Sequence, residues 1–167
     1  MDFPGPTNLR DDRREVLLEY LDFYRFTVRE KVTGLSDGEL RSSRLASGWT
    51  PLEVVKHLLN VERRWIVWGF EGVDVPDPWA EERDKRWYAG PDERLDDLLD
   101  AWDEGGRHTR EVVMSHSLGD LGAPSDRWDG DMPPPLERVL LHLIQEFARH
   151  AGHLDIVREL ADGATGE

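Results

Sequence analysis

The sequence predicts an all-α protein, a four-helix bundle with long connections after the second and third helices. Three observations predict it. Four segments carry apolar residues at three- and four-residue intervals, the period of a helix with one buried face. Helix start and stop signals bracket those segments. Strand alternation and internal repeats are both absent, so helices have only each other to pack against.

The first helix begins at Asp11-Asp12, and Val16, Leu17, Tyr20, Leu21, Tyr24 and Val28 give it an apolar stripe as far as Val32. Gly34 ends it, and Leu35 to Leu40 reads as a turn or a single helical turn. Thr50, Pro51 and Glu53 form a capping box with proline at the first helical position, which opens the second helix. Val54, His57, Val61, Trp65 and Trp68 line one side of it, and Gly69 or Gly72 should stop it. Residues 72–90 hold Pro76, Pro78, Trp79 and Trp87 among many charges and read as a long loop, its tryptophans partly buried over a site. The third helix opens at Pro91-Asp92-Glu93 and runs through Leu95, Leu98, Leu99 and Trp102 toward Val113, weakened at Gly105-Gly106. A connector rich in glycine and proline spans residues 117–135, and the fourth helix runs from Leu136 to Leu160, closing at Gly163. The expectation is one domain over residues 1–167, with residues 1–10 and 163–167 as loose tails.

The formal charge is −14, from 35 acids against 21 bases, which argues against nucleic acid or an anionic membrane as partner. There is no cysteine, so any metal must be held by nitrogen and oxygen, a preference that suits zinc, nickel, manganese or ferrous iron. A protein thiol nucleophile is excluded for the same reason. The first residues lack a basic segment followed by an apolar run, and no stretch is long and apolar enough to span a membrane, so a cytoplasmic location is expected.

The fourth helix reads Glu146-Phe147-Ala148-Arg149-His150-Ala151-Gly152-His153. At about 100° per residue, Glu146, His150 and His153 fall in one sector with Val139, Leu143 and Val157, the face turned into the bundle. His57 shares its own inward face with Val54, Val61 and Trp68. An acid and imidazoles converging from two helices are what a divalent cation needs, and equally what a hydrogen-bonded core network would contain. Spacing alone leaves the two readings even. His108 and His116 lie on a polar helix face and in a loop, with no role assigned. Arg63, Arg64 and Arg149 are near the candidate ligands in sequence and could hold an anionic substrate, although surface solvation is the simpler reading.

The runs Gly48-Trp49-Thr50-Pro51-Leu52-Glu53-Val54-Val55-Lys56-His57-Leu58 and Glu146 to His153, the latter followed by Asp155 and Arg158-Glu159-Leu160, resemble the second and fourth helices of DinB-like (DinB/YfiT) proteins. The likeness covers nearly the whole chain in order. It is closest to an uncharacterised actinobacterial branch related to the N-terminal domain of mycothiol-dependent maleylpyruvate isomerases. The resemblance implies a metal-binding bundle whose ligands fall on His57, Glu146 and His150. Many members have histidine where this chain has Glu146; the mycothiol-dependent isomerases, like this chain, have glutamate there. His153 stands at a usual glutamine position, which makes it an outer partner or an alternative ligand.

The implied function is a metal-dependent transferase or isomerase using a low-molecular-weight thiol of the mycothiol type as co-substrate, acting on a small molecule. Catalytic residues are not identifiable. A metal-dependent hydrolase, or a non-enzymatic metal-binding or interaction bundle able to form a homodimer, stand as alternatives. The isomerases carry a further C-terminal domain beyond the bundle, so their specific reaction is not expected of this chain.

Overall fold

In the computed structural model, which describes residues 5–165, the long helices form in the expected order. Helix α1 (Arg13–Val32) starts where Asp12 accepts a hydrogen bond from the Arg14 amide at 2.9 Å. Its buried stripe is Leu17, Leu18, Leu21, Arg25, Val28 and Val32, slightly rotated from the apolar pattern because Arg25 turns inward. The single turn α2 (Asp37–Leu40) has its own capping box, Ser36 with Glu39. Of the expected tails, residues 1–4 and 166–167 lie outside the described residues, and Arg10 Nε donates to Glu19 at 2.6 Å.

Helix α3 (Pro51–Arg63) carries the capping box of Thr50 and Glu53 with Pro51 at its first position. It continues past Arg63 not as α-helix but as a π-helical turn, Arg64–Phe70. A wider turn of this kind rotates the side chains that follow it, and such turns gather at functional sites. The connection after it contains a small antiparallel hairpin, β1 (Glu82–Arg83) with β2 (Arg86–Trp87). Its turn residues Asp84 and Lys85 both have positive φ, 53° and 62°, the two-residue geometry that matches strand twist. The long loop expected over residues 72–90 is therefore partly structured.

Helix α4 (Leu95–Ser115) starts four residues later than its acidic opening suggests. Glu93 is drawn away from the helix end, accepting from Lys56 Nζ at 2.9 Å and from the Gly90 amide at 2.5 Å. The glycine pair inside α4 has a packing reason at Gly106, where a Cβ would come within 2.7 Å of Arg25 Cζ. Helix α5 (Leu136–Asp162) ends on Gly163 at φ 77°.

The α1 helix packs along α5 and α3 along α4, and the core fills with Leu18, Leu21, Leu58, Trp102, Leu140 and Phe147. One charged cluster lies inside it. Glu62, 2% exposed, accepts from Arg25 Nη2 at 2.7 Å, Thr109 Oγ1 at 2.7 Å and Trp102 Nε1 at 2.8 Å. Among the described residues no helix is long and apolar enough to cross a membrane.

Candidate metal centre

The three histidine and glutamate ligands expected from the sequence converge. His57 on α3, with Glu146 and His150 on α5, each offer one ligand atom, and these atoms all lie within 4.8 Å of one another. Glu146 Oε2 is 3.5 Å from His57 Nε2 and 3.6 Å from His150 Nε2. Donors about 2.1 Å from a shared cation in tetrahedral array are roughly 3.4 Å apart, so the two Glu146 separations already fit that array. The set of two imidazoles and one carboxylate suits zinc, nickel, manganese or ferrous iron.

Both imidazoles turn Nε2 toward Glu146 and Nδ1 away from it, toward a second polar group. His150 Nδ1 lies 3.3 Å from His153 Nδ1. For Nε2 of His150 to present a lone pair to a cation its proton must sit on Nδ1, and His153 Nδ1 then accepts it. His153 falls outside the group that shares ligand spacing among the described residues, and its ring also packs on Trp49 with centroids 5.7 Å apart. On the other helix, His57 Nδ1 is 3.4 Å from Glu81 Oε1, a charge contact without an aligned hydrogen bond, since Nδ1 is buried without a hydrogen-bond partner. A small rotation of either group would complete it.

Glu81 is the residue that sequence reasoning missed. It is 1% exposed, it precedes the hairpin, and its Oε1 accepts from Arg64 Nη1 at 2.5 Å. Arg64 also donates to the Pro78 carbonyl at 2.7 Å and lies under Trp79, with Cζ 4.2 Å from the ring centre. The reading of Arg64 as a solvated surface cation is therefore corrected: the π-helical turn swings it inward, where Glu81 neutralises it. Arg149 is exposed and Arg63 half-buried, and neither touches the ligand group. The hairpin delivers Trp87 as well, stacked on His57 at 4.2 Å between centroids and 5.3 Å from His150. The sequence held one signal for this, a long connection with tryptophans inside a small domain. His142, which shares the Glu146 sector by helical angle, packs instead on Trp65 at 4.1 Å. His108 is bound to Glu71 at 2.7 Å, away from the centre.

The electrostatics are those of an anionic pocket. His150 and then His57 hold the Glu146 carboxyl well below the usual carboxylate range, against its burial. Burial works to lower the pKa of His57, but Glu146 and Glu81 outweigh it and the net shift is upward. Burial likewise opposes the charge on Glu81, yet His57 and Arg64 leave its pKa lowered. Burial, then His150 and Arg149, lower the pKa of His153.

Two expected outcomes follow from this arrangement. Glu81→Gln should weaken metal binding by about 10- to 100-fold, the usual effect of losing a carboxylate behind a histidine ligand, measured by competition with a chromophoric chelator. An unchanged affinity would remove Glu81 from the centre. In metal-free protein, raising the pKa of His57 stabilises the fold while His57 is protonated, below about 6.5, and that stabilisation is lost as pH rises through the raised value. The lowered pKa of Glu146 adds stability above about 4.5 that is lost as pH falls. The melting temperature of wild type should therefore exceed that of His57→Gln most between about pH 5 and 6, and the gap should close toward pH 8. A gap that widens with pH would contradict the assignment.

Comparison with known proteins gives a family match and a structural match. A family described as mycothiol-S-transferase matches residues 16–163. Among solved structures, the chain is similar to YfiT from Bacillus subtilis, described as a probable metal-dependent hydrolase with an unusual four-helix bundle topology, at 14% identity and a TM-score of 0.63, over 98% of this chain and 95% of that chain. That likeness supports the same bundle topology here. No curated protein matches the sequence.

Proposed function

Since the chain belongs to the mycothiol-S-transferase family, within the DinB-like superfamily, we propose that it holds a divalent metal through His57, Glu146 and His150 and uses an external low-molecular-weight thiol to substitute an electrophilic carbon. The convergence of those three donors from two helices is the observation that carries the reading. The absence of cysteine requires that the reacting sulfur come from outside the chain.

A bound cation would supply Lewis acidity, favouring the thiolate form of the incoming thiol at neutral pH. The protein's own groups do the rest. Glu146 and two neutral imidazoles contribute one negative charge, so a divalent cation leaves a net positive centre that attracts an anionic sulfur. Three protein donors leave one to three positions open, about what a reactive rather than a closed structural site keeps. His153 beside His150, and Trp87 stacked on His57 with Glu81 behind it, hold the two rings so that the donors are set before the thiol arrives. Trp87 lies across His57 and His150 and limits water on that side. A cleft of about 280 Å³ between Trp49 and Trp87, with Glu53, Lys85 and Arg86 at its walls, adjoins the two tryptophans that contact His153 and His57. This cleft offers space for a small electrophile.

The test is turnover of an activated aryl chloride by metal-loaded protein, with and without mycothiol or a simpler thiol. Consumption that needs both metal and thiol, with the thioether as product, is the expected result. Metal-dependent consumption of an ester without thiol would instead favour a hydrolase, and stoichiometric metal with no turnover in either assay would favour a binding module.

A further inference from the structure

Arg127 is a cation that the metal centre does not use and that no acid among the described residues pairs with. It sits in the connector between α4 and α5, in a short 3-10 turn, Asp126–Trp128. Its Cζ lies 4.7 Å from the ring centre of Trp65, 5.5 Å from that of Trp68 and 5.2 Å from that of Trp128. The seat is built rather than incidental. Trp128 Nε1 donates to the Gly69 carbonyl at 2.9 Å, and Ser125 Oγ donates to the Trp68 carbonyl at 3.1 Å, so the connector is anchored on carbonyls of the π-helical turn. Gly69 eases the approach: a Cβ there would meet the Arg64 carbonyl oxygen at 3.0 Å, Trp128 Cζ2 at 3.2 Å and Arg127 Cδ at 3.4 Å.

In a chain with 35 acids and 21 bases, a half-buried arginine without an acid is unexpected. Arg25, Arg29, Arg64, Arg110 and Arg158 each have a carboxylate partner. Among the described residues Arg127 makes no ion pair, and its Nε is buried without a hydrogen-bond partner. Burial works against its charge, and the charge that acts on it is Arg64, of the same sign. Aromatic faces each return about 0.5–2 kcal/mol to a stacked cation, but they supply no in-plane acceptor for its N–H groups. That planar edge matches the two oxygens of a carboxylate or phosphate.

Its place gives the edge a purpose. Trp65 contacts both Arg127 and His142, with 4.1 Å between the Trp65 and His142 centroids. His142 is one turn ahead of Glu146 on α5, so the box stands on the flank of the three-ligand group. We infer that Arg127, boxed by Trp65, Trp68 and Trp128, binds the oxyanion of a small-molecule ligand beside the candidate metal centre. The inference rests on Arg127 and its box, not on metal binding.

The test uses full-length metal-free protein at constant ionic strength, titrated with glutarate in one arm and inorganic phosphate in the other, reading tryptophan fluorescence. Wild type should show a saturable change with at least one of them, and the stronger arm identifies a carboxylate or a phosphate as the preferred group. R127Q should weaken that binding at least tenfold, and R127K, which keeps charge without the fork, should fall between. Should R127Q fail to fold, the Nε–H resonance of Arg127 in wild type must shift saturably with the same anion. No saturable response to either anion, equal affinity in a folded R127Q, or an identical response to chloride would overturn the inference. Because no metal is present, failure here leaves the metal reading standing, and loss of the metal reading leaves this one.

Discussion

His150→Ala is expected to reduce zinc or nickel affinity by on the order of a hundredfold or more. A closed four-donor zinc site in a small domain binds with about 10–16 kcal/mol, so each donor accounts for roughly 3 kcal/mol, which is about a hundredfold in the dissociation constant. His150 is the better donor to remove than His57. It is 5% exposed, its Nε2 is 3.6 Å from Glu146, and its loss also strands His153, whose Nδ1 then faces no partner ring. Circular dichroism should show the helices retained, because the truncation empties a volume smaller than a core leucine pair rather than exposing a charge. Competition against a chromophoric chelator, with wild type and variant side by side, measures the difference. Affinity equal to wild type would mean that the cation binds elsewhere.

Glu62→Ala should give the largest loss of stability. The carboxylate receives three hydrogen bonds in the core, and its removal leaves the Arg25 guanidinium with only Asp22, a half-exposed partner at 2.8 Å. Breaking one side of a buried ion pair costs about 3–5 kcal/mol, because the remaining charge stays desolvated. For a chain of this size that lowers the melting temperature by roughly 6–20 °C. Glu62→Gln keeps one acceptor oxygen, enough for one side of this network but not both, and fills the volume, so its loss should be smaller. Thermal melts of the three proteins at one pH check the order. A loss below about 1 kcal/mol for the alanine variant would show that Arg25 finds another environment at little cost.

What the sequence made legible follows the range of the interactions. The Glu146–His150 spacing and the inward face of His57 are properties of a single helix turn, and local periodicity is enough to place them. The capping box at Thr50 is equally local. Bringing α3 against α5 required only that apolar faces meet, and the donors came together with them. Glu81 was not legible, because its burial depends on where a hairpin folds back, a tertiary matter that an acid in a charged loop does not advertise. Arg64 escaped for a different reason. The switch from α to π geometry after Arg63 rotates the side chains that follow, and the stretch Arg64–Phe70 carries no proline, and no glycine before Gly69, to mark where it starts. The late start of α4 has a tertiary cause too, since Lys56 on α3 recruits Glu93. His153 shared a face with the ligands on paper, and the small angular offset between it and His150 leaves it behind the ring rather than beside Glu146.

The central claim is that the His57, Glu146 and His150 cluster is a metal site, and elemental analysis tests it most directly. Protein purified without a histidine tag and without added metal, then assayed beside His57→Ala and His150→Ala, should carry about one transition metal ion per chain in wild type and far less in both variants. Wild-type protein that contains no stoichiometric metal, and takes up none of zinc, nickel, manganese or ferrous iron, would contradict it.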